Sequence, residues 1–201
     1  MARRLRSSTV RTALLGASAF ALTACGDNGE DLTYFETVEQ CRSAALAATF
    51  APEDCDAAFA QAREKHEVLA PRYESRELCE EQHGADACAA ADEAGATTAE
   101  AGQGSVFMPL LAGYMMGSML SGNRYGAAPL YRDASGRVFG AGGRPYAFQG
   151  PGSTVRGSAA AVQPLAAASK PPPVMTRAMI AERGGFGAAR TSAAGRTGFG
   201  G

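Results

Sequence analysis

The chain has 201 residues, of which 46% are apolar and 7% aromatic, with no tryptophan. Its formal charge of −1 hides a sharp division: residues 1–24 carry four arginines and no acid, residues 25–100 carry 5 basic and 18 acidic side chains, and residues 101–201 carry 10 basic and 2 acidic ones with 20 of the 25 glycines. A chain of this length usually forms one domain, but this division argues against one uniform globule. It also argues against a large enzyme with a deep apolar core.

The N-terminus has the pattern of an export signal. Four arginines accompany an apolar stretch from Ala13 to Leu22, which is shorter than the roughly 20 residues of a membrane-spanning helix. Residues 1–24 are therefore predicted to be a signal peptide that is removed. The cleavage region, Leu22-Thr23-Ala24-Cys25, resembles the lipobox of bacterial lipoproteins, in which the cysteine thiol carries the lipid. The alternative is an ordinary secretory signal in which Cys25 is incidental or forms a disulfide.

An acylated Cys25 predicts attachment to a lipid bilayer. Several acyl chains such as palmitate, at about 0.8 kcal/mol per buried CH2 group, anchor a protein stably where a single chain does not. Residues 25–33 are predicted to form the lipidated tether of a cell-envelope protein that faces the periplasm. Gly26 follows the cysteine, where an aspartate would mark inner-membrane retention in enteric bacteria, so the outer membrane is favoured despite Asp27 at the next position.

The remaining four cysteines predict two disulfides, because export places them in an oxidising compartment. Four cysteines allow three connectivities, and an internal repeat with an offset of 38 residues helps to choose among them. The segments ending at Cys41 and Cys79 match, and each is followed by a second cysteine. The simplest interpretation is two duplicated units with local bridges, Cys41–Cys55 and Cys79–Cys88.

Residues 34–94 are predicted to form three or four short helices paired as hairpins. Apolar positions recur with helical spacing from Tyr34 onward, Ser75 is a good N-cap, and Pro52 suits a first helical turn. The predicted fold is therefore mainly α, with a small disulfide-linked helical-hairpin domain. The core of this domain is thin, and the disulfides are expected to be structural staples.

A metal site is the sharper alternative for the second cysteine pair. Cys79 and His83 lie four residues apart, with Cys88 and two glutamates nearby, but no Cys-x-x-Cys pair exists and export favours a disulfide. The chain has only two histidines and no Gly-x-Ser-x-Gly sequence. We therefore predict no metal, no cofactor and no catalytic residue.

Residues 95–105 are predicted to be a flexible linker, and residues 106–121 are an apolar Gly/Met segment without charge. Its length falls short of a transmembrane helix, while Gly113 and Gly117 have the spacing that lets helices approach closely. Packing on the helical domain, contact with a membrane and contact between copies all remain open, and contact with a membrane or an envelope partner is favoured. The predicted contact residues are Phe107, Met108, Gly113, Tyr114, Met115, Met116 and Gly117.

Residues 122–201 are predicted to be a basic, largely disordered tail, because Gly, Ala, Ser and Pro dominate it. A small hairpin is expected near residues 129–140. Arg183-Gly184-Gly185-Phe186-Gly187 is similar to segments of nucleic-acid binders, but one copy in an exported protein predicts no nucleic-acid partner. Anionic headgroups, cell-wall acids or the acidic half of the chain are the expected contacts.

Several of these motifs together resemble one family. The motifs follow one another in a fixed order: the lipobox, two cysteine pairs, Phe-Met-Pro-Leu-Leu-Ala-Gly-Tyr-Met-Met-Gly at 107–117, Pro-Leu-Tyr at 129–131 and Arg-Gly-Gly-Phe-Gly at 183–187. This order is similar to that of the YgiB family of uncharacterised Gram-negative lipoproteins. The resemblance implies a cell-envelope lipoprotein and brings no established activity.

The sequence therefore predicts a membrane-anchored envelope lipoprotein that is structural or interacting rather than enzymatic. The alternative is an enzyme, or an enzyme's accessory subunit, acting on a cell-wall or polyamine-like substrate. In that hypothesis acidic helices would attract a cation, although charge runs are usually solvated faces. The carboxylates concerned are Glu53, Asp54, Asp56, Glu80 and Glu81.

Overall fold

A computed structural model describes residues 29–45, 50–93, 105–119, 124–166 and 169–186 of the chain. These residues form two β-sheets and the helices that pack on them. The elements in chain order are β1 (Gly29–Phe35), α1 (Val38–Ala45), α2 (Pro52–Leu69), β2 (Arg72–Tyr73), α3 (Arg76–His83), β3 (Cys88–Ala90), β4 (Phe107–Pro109), β5 (Gly113–Ser118), β6 (Tyr125–Arg132), β7 (Val138–Gly140), β8 (Pro145–Tyr146), β9 (Thr154–Ser158), a 3-10 turn (Ala159–Ala161), β10 (Val174–Met175) and α4 (Arg177–Arg183).

The larger sheet has six antiparallel strands in the order β8-β7-β6-β5-β1-β9. It curls strongly, so that Tyr146 of one edge strand lies beside Gly157 of the other. The first strand of the fold, β1, is central in this sheet, since it pairs with β5 on one side and with β9 on the other. The sheet is therefore nearly closed on itself.

The smaller sheet has the order β10-β2-β4-β3. Its β2 and β10 are parallel, while its other pairs are antiparallel. Both sheets combine strands from before and after residues 95–105. The acidic and basic parts of the chain therefore share their sheets and their core.

The prediction of a mainly α fold is wrong, and the apolar segment shows why. Residues 113–118 form β5, a central strand whose consecutive side chains are buried on both faces. Such a strand has a continuous apolar sequence that periodicity cannot distinguish from a buried helix. The two glycines serve close strand contacts instead of helix packing: a Cβ on Gly113 would lie 2.5 Å from the carbonyl oxygen of Phe35, and one on Gly117 would lie 2.7 Å from Leu32 Cδ2.

The prediction of a largely disordered tail is also wrong for the described residues. Residues 124–186 contribute β6 to β10, α4 and the 3-10 turn, and the hairpin expected near 129–140 is present as β6 and β7. Small side chains do not prevent order here, because neighbouring elements bury them: Ala127 is 0% exposed between β5 and α2. Residues 29–33, which the sequence assigns to the tether, form part of β1.

The helices of the acidic part begin where the sequence predicts. Ser75 Oγ accepts a hydrogen bond from the backbone N–H of Leu78 at 3.2 Å at the start of α3. At the start of α2, Pro52 occupies the first turn and the Asp54 carboxylate accepts a bond from the N–H of Ala51 at 2.8 Å. These contacts satisfy donors that a helix leaves free at its N-terminus. Tyr34, however, lies in β1 and not in a helix.

Both predicted disulfides are present. Cys41–Cys55 joins α1 to α2, and Cys79–Cys88 joins α3 to β3. All four cysteines are at most 3% exposed, so the bridges are part of the core. Across the residues that the structure describes, no helix is both long enough and apolar enough to cross a membrane.

Candidate functional site

The predicted lipid-attachment residue, Cys25, lies outside the described residues, as do the predicted signal peptide (residues 1–24) and residues 187–201. Lipidation therefore stays a prediction. The predicted metal alternative loses its two thiolates, because Cys79 and Cys88 are bonded to each other.

The predicted contact segment lies inside the fold. In the described part of this segment, Leu110 is the exposed large apolar side chain, with 48% of its surface accessible to solvent. Phe107 is half-buried, and the Arg76 guanidinium lies 5.3 Å from the centre of its ring. The other predicted contact residues fill the core or face close neighbours there: Met108, Gly113, Tyr114, Met115, Met116 and Gly117.

The two histidines of the chain lie in one buried cluster at the junction of the sheets. His66 of α2 is 7% exposed, and its Nδ1 is 3.0 Å from the hydroxyl of Tyr131, which is fully buried. The ring of His83, from α3, also faces Tyr131, with ring centres 6.4 Å apart.

Both ring nitrogens of His83 have partners within the chain. Nδ1 donates to the backbone carbonyl of Arg132 at 2.6 Å, which fixes the tautomer, so Nε2 accepts from the Tyr73 hydroxyl at 2.7 Å. Burial lowers the pKa of His83 and raises the pKa of Tyr73, so the proton stays on the phenol. This arrangement links α3, β2 and β6 through neutral groups.

The Arg-Gly-Gly-Phe sequence noted above closes this cluster. Phe186 packs against His83 with ring centres 4.6 Å apart, and its backbone N–H donates to Gln82 Oε1 at 2.8 Å. Gly184 adopts a left-handed conformation at the end of α4, which a glycine does without steric cost. This segment therefore packs as part of the fold.

A cleft opens where β6 lacks a strand partner. Strand β7 pairs with β6 only from residue 130 onward. At the uncovered edge the N–H of Ala127 donates to Gln61 Oε1 at 2.5 Å, and Lys65 Nζ donates to the Ala127 carbonyl. Gln61 and Lys65 are one turn apart in α2, so this helix supplies the hydrogen bonds that a neighbouring strand would make.

The cleft has a volume of about 420 Å3 and walls from α2, β5, β6, the turn between β7 and β8, and the segment after β9. Its lining is mainly apolar, with the hydroxyls of Tyr146, Ser158 and Ser169. Two cations, Lys65 and Arg144, also line it, and no carboxylate does among the described residues.

Lys65 is the unusual member of this lining, because it is only 2% exposed. Burial lowers its pKa to about 8, while the negative charge of Glu64 acts in the opposite direction. Within the described part of the chain, no carboxylate forms an ion pair with Lys65. The cleft therefore contains a buried ammonium group whose partner is a neutral carbonyl oxygen.

The carboxylates that would attract a cationic substrate are largely engaged within the chain. Asp56 pairs with Arg42 at 2.7 Å, and Glu81 pairs with Arg177 at 2.9 Å. Asp54 caps α2 as described above. These partners weaken the hypothesis of a polyamine-like substrate on the acidic helices.

Neither Lys65 nor Arg144 belongs to a motif that the sequence predicts to be functional. A signal for the lysine is nevertheless present: Cys55, Ala58, Ala62 and Lys65 follow one another at intervals of three, four and three residues on the buried side of α2. A lysine at such a position must bury its charge or bend to the surface. No comparable pattern marks Arg144, which reaches the cleft through the turn between β7 and β8.

Comparisons with known proteins agree with the motifs of the sequence. A family model described as a protein of unknown function (DUF1190) matches residues 29–200. A UPF0441 protein of Serratia proteamaculans is 32% identical over 184 residues, covering 87% of this chain and 79% of the relative. One from Erwinia tasmaniensis is 33% identical over 186 residues, covering 87% and 78% respectively. No solved structure matches the chain. The chain therefore belongs to the uncharacterised DUF1190 family, together with the UPF0441 proteins, and this is the YgiB family that its motifs predict.

Proposed function

We propose that the protein is a lipid-anchored protein of the cell envelope that faces the periplasm and acts by binding rather than by catalysis. The pair of buried, local disulfides is the observation that carries this proposal. Such bridges form and persist in oxidising compartments, and the lipobox-like sequence before Cys25 predicts export to one. Contact partners in the proposal are the bilayer, through Cys25, and an envelope component, through the folded part.

The position of β1 supports a short tether. Only residues 26–28 separate Cys25 from Gly29, where β1 begins. Even a fully extended chain would hold Gly29 within about 14 Å of Cys25. An acylated Cys25 would thus keep the curled sheet close to the membrane surface.

The buried cluster supports a binding role over a catalytic one. Both ring nitrogens of His83 are engaged in bonds between elements, and Nδ1 of His66 bonds the Tyr131 hydroxyl. A histidine base needs a free nitrogen within reach of a reacting group. In this protein the two nitrogens of His83 are bonded to the fully buried Tyr73 and to the backbone carbonyl of Arg132, so this side chain serves packing.

The experiment is the intact mass of the protein extracted from native membranes, with thiols alkylated before or after reduction. We expect a chain that begins at an acylated Cys25 and gains four alkyl groups only after reduction. A Cys25→Ser variant is the matched control. It should no longer be found in the membrane fraction, and it should retain both disulfides. An unacylated wild-type mass, or thiols that react without reduction, would overturn the proposal.

The choice of membrane is tested by one further substitution. Gly26→Asp places an acidic residue directly after Cys25, where it marks inner-membrane retention in enteric bacteria. We expect the wild-type protein to sediment with the outer membrane in a density gradient and the variant to move toward the inner one. Wild-type protein in the inner-membrane fraction would contradict the outer-membrane assignment.

A further inference from the structure

We infer that the cleft between α2, β6 and the segment after β9 binds a fatty carboxylate, with its head group at the Lys65 and Arg144 cations and its acyl chain along the apolar wall. This inference deepens the proposed function by naming the ligand class. Only one part of the inference, that the ligand comes from the membrane surface, rests on the proposed lipid anchor.

The charge of the lining favours an anionic ligand. An ammonium group taken out of water is costly unless a partner compensates it, and a single carbonyl compensates it only in part. Lys65 is in this position, and the exposed Arg144 adds a second cation to the same cleft. Because no described carboxylate lines the cleft, both cations would attract a ligand carboxylate, and no negative charge among the described lining residues would repel it.

The apolar wall favours an acyl chain over a small inorganic anion. Leu69, Met115 and Leu165 come from three different parts of the chain to line the cleft, with proline and alanine side chains between them. Ligand pockets commonly measure 300 to 1,000 Å3 and combine such walls with a few polar groups. A volume of about 420 Å3 is within this range.

The position of the cleft relative to the chain start favours a membrane amphiphile. Ser158 of the lining pairs directly with Gly29, the first residue of β1. If Cys25 is acylated, as proposed above, the cleft lies a few residues from the anchor and therefore near the lipid surface. A fatty carboxylate released from that surface could enter without crossing the aqueous phase.

The test is calorimetric titration of the full chain carrying Cys25→Ser with dodecanoate below its micelle concentration. Because this protein is unacylated, binding is measured independently of the anchor. We expect one dodecanoate per chain, and no binding of dodecyltrimethylammonium, which has the same chain and the opposite charge. Lys65→Met should weaken dodecanoate binding by about tenfold to 100-fold, as expected for a lost charge-assisted hydrogen bond.

Gln61→Met is the matched control. Gln61 and Lys65 both bond the backbone of Ala127, but only Lys65 lines the cleft. Both variants therefore lose one bond to β6, and only Lys65→Met should lose affinity for dodecanoate. Arg144→Gln, at an exposed position, tests the second cation without removing a bond that the structure shows and should also weaken binding.

Three results would overturn the inference: no binding of dodecanoate to the folded chain, equal binding of the cationic amphiphile, or equal losses in the Gln61 and Lys65 variants. If the chain binds dodecanoate but the wild-type protein proves unacylated in cells, the proposed anchor and the membrane origin of the ligand are overturned, while the ligand class stands. If the wild-type protein is acylated but the chain does not bind dodecanoate, the ligand class is overturned and the anchor stands.

Discussion

Burial determines the charge of individual side chains in this protein. Desolvation lowers the pKa of His66 to about 4, and the neighbouring positive charge of Arg63 acts in the same direction. In the unfolded chain the pKa of a histidine is near 6.5, so His66 is protonated more readily there than in the folded protein. Folding therefore favours the neutral imidazole that is held against Tyr131.

This difference predicts an acid-sensitive stability. The contribution of His66 is complete above pH 6.5 and is lost as the pH falls toward 4, because the folded pKa is the lower one. The loss amounts to roughly 3 kcal/mol, since each unit of pKa difference is about 1.36 kcal/mol. Urea unfolding at several pH values between 4 and 7 should show the free energy of unfolding decreasing over this window.

His66→Gln is the control, because its amide can still bond the Tyr131 hydroxyl and does not titrate. The variant should have a shallower pH dependence than the wild type. Some dependence should remain, since burial also lowers the pKa of His83. Equal slopes for variant and wild type would show that His66 does not titrate differently in the two states.

At the scale of elements, the disulfides act as staples on short helices. The bridges Cys41–Cys55 and Cys79–Cys88 have sequence separations of 14 and 9 residues. In the chain-entropy account, closing loops of this size stabilises the folded state by about 3 kcal/mol each, with slightly more for the longer loop. We expect Cys41→Ala/Cys55→Ala to lower the free energy of unfolding by at least as much as Cys79→Ala/Cys88→Ala does.

Denaturant titrations with and without reductant measure this effect. Reduction should lower the wild-type stability by more than it lowers that of either double variant, each of which retains one bridge. If reductant leaves the wild-type midpoint unchanged, the bridges do not stabilise the fold. A larger loss for the Cys79 pair than for the Cys41 pair would contradict the order expected from loop length.

Elements with local signals could be predicted from the sequence, and those that depend on distant partners could not. Ser75 and Pro52 mark helix starts by contacts within one turn, and each disulfide closes a short loop. Strand β5 depends on β1 and β6, so its apolar sequence alone did not distinguish a strand from a helix. Lys65 belongs to the cleft because Ala127, 62 residues away, presents its carbonyl there.

At the scale of the whole molecule, the acidic and basic parts form one structural unit. Strand β1 is held between β5 and β9, and β2 is held between β10 and β4. Polar contacts cross the same boundary, as in the pairing of Glu36 with Arg132 and of Glu81 with Arg177. Neither part therefore has a complete sheet of its own.

This interleaving predicts that neither half folds alone. Residues 25–100 and 101–201, produced separately, should lack cooperative unfolding and the near-ultraviolet circular dichroism of the full chain. Mixing them should restore both signals. A protease site inserted at residue 101 offers a control, because the folded chain cut there should remain associated as two pieces. Cooperative unfolding of either half by itself would contradict this arrangement.

The central place of β1 has a consequence for the order in which the protein is assembled. Gly29 emerges early in synthesis, but its partner Ser158 follows 129 residues later. Until that residue is available, β1 has an unsatisfied edge that can pair wrongly with other extended segments. Contacts at such sequence separation slow folding, because a long loop must close before they form. The newly made chain therefore depends on protection from aggregation until almost its last strand has been made.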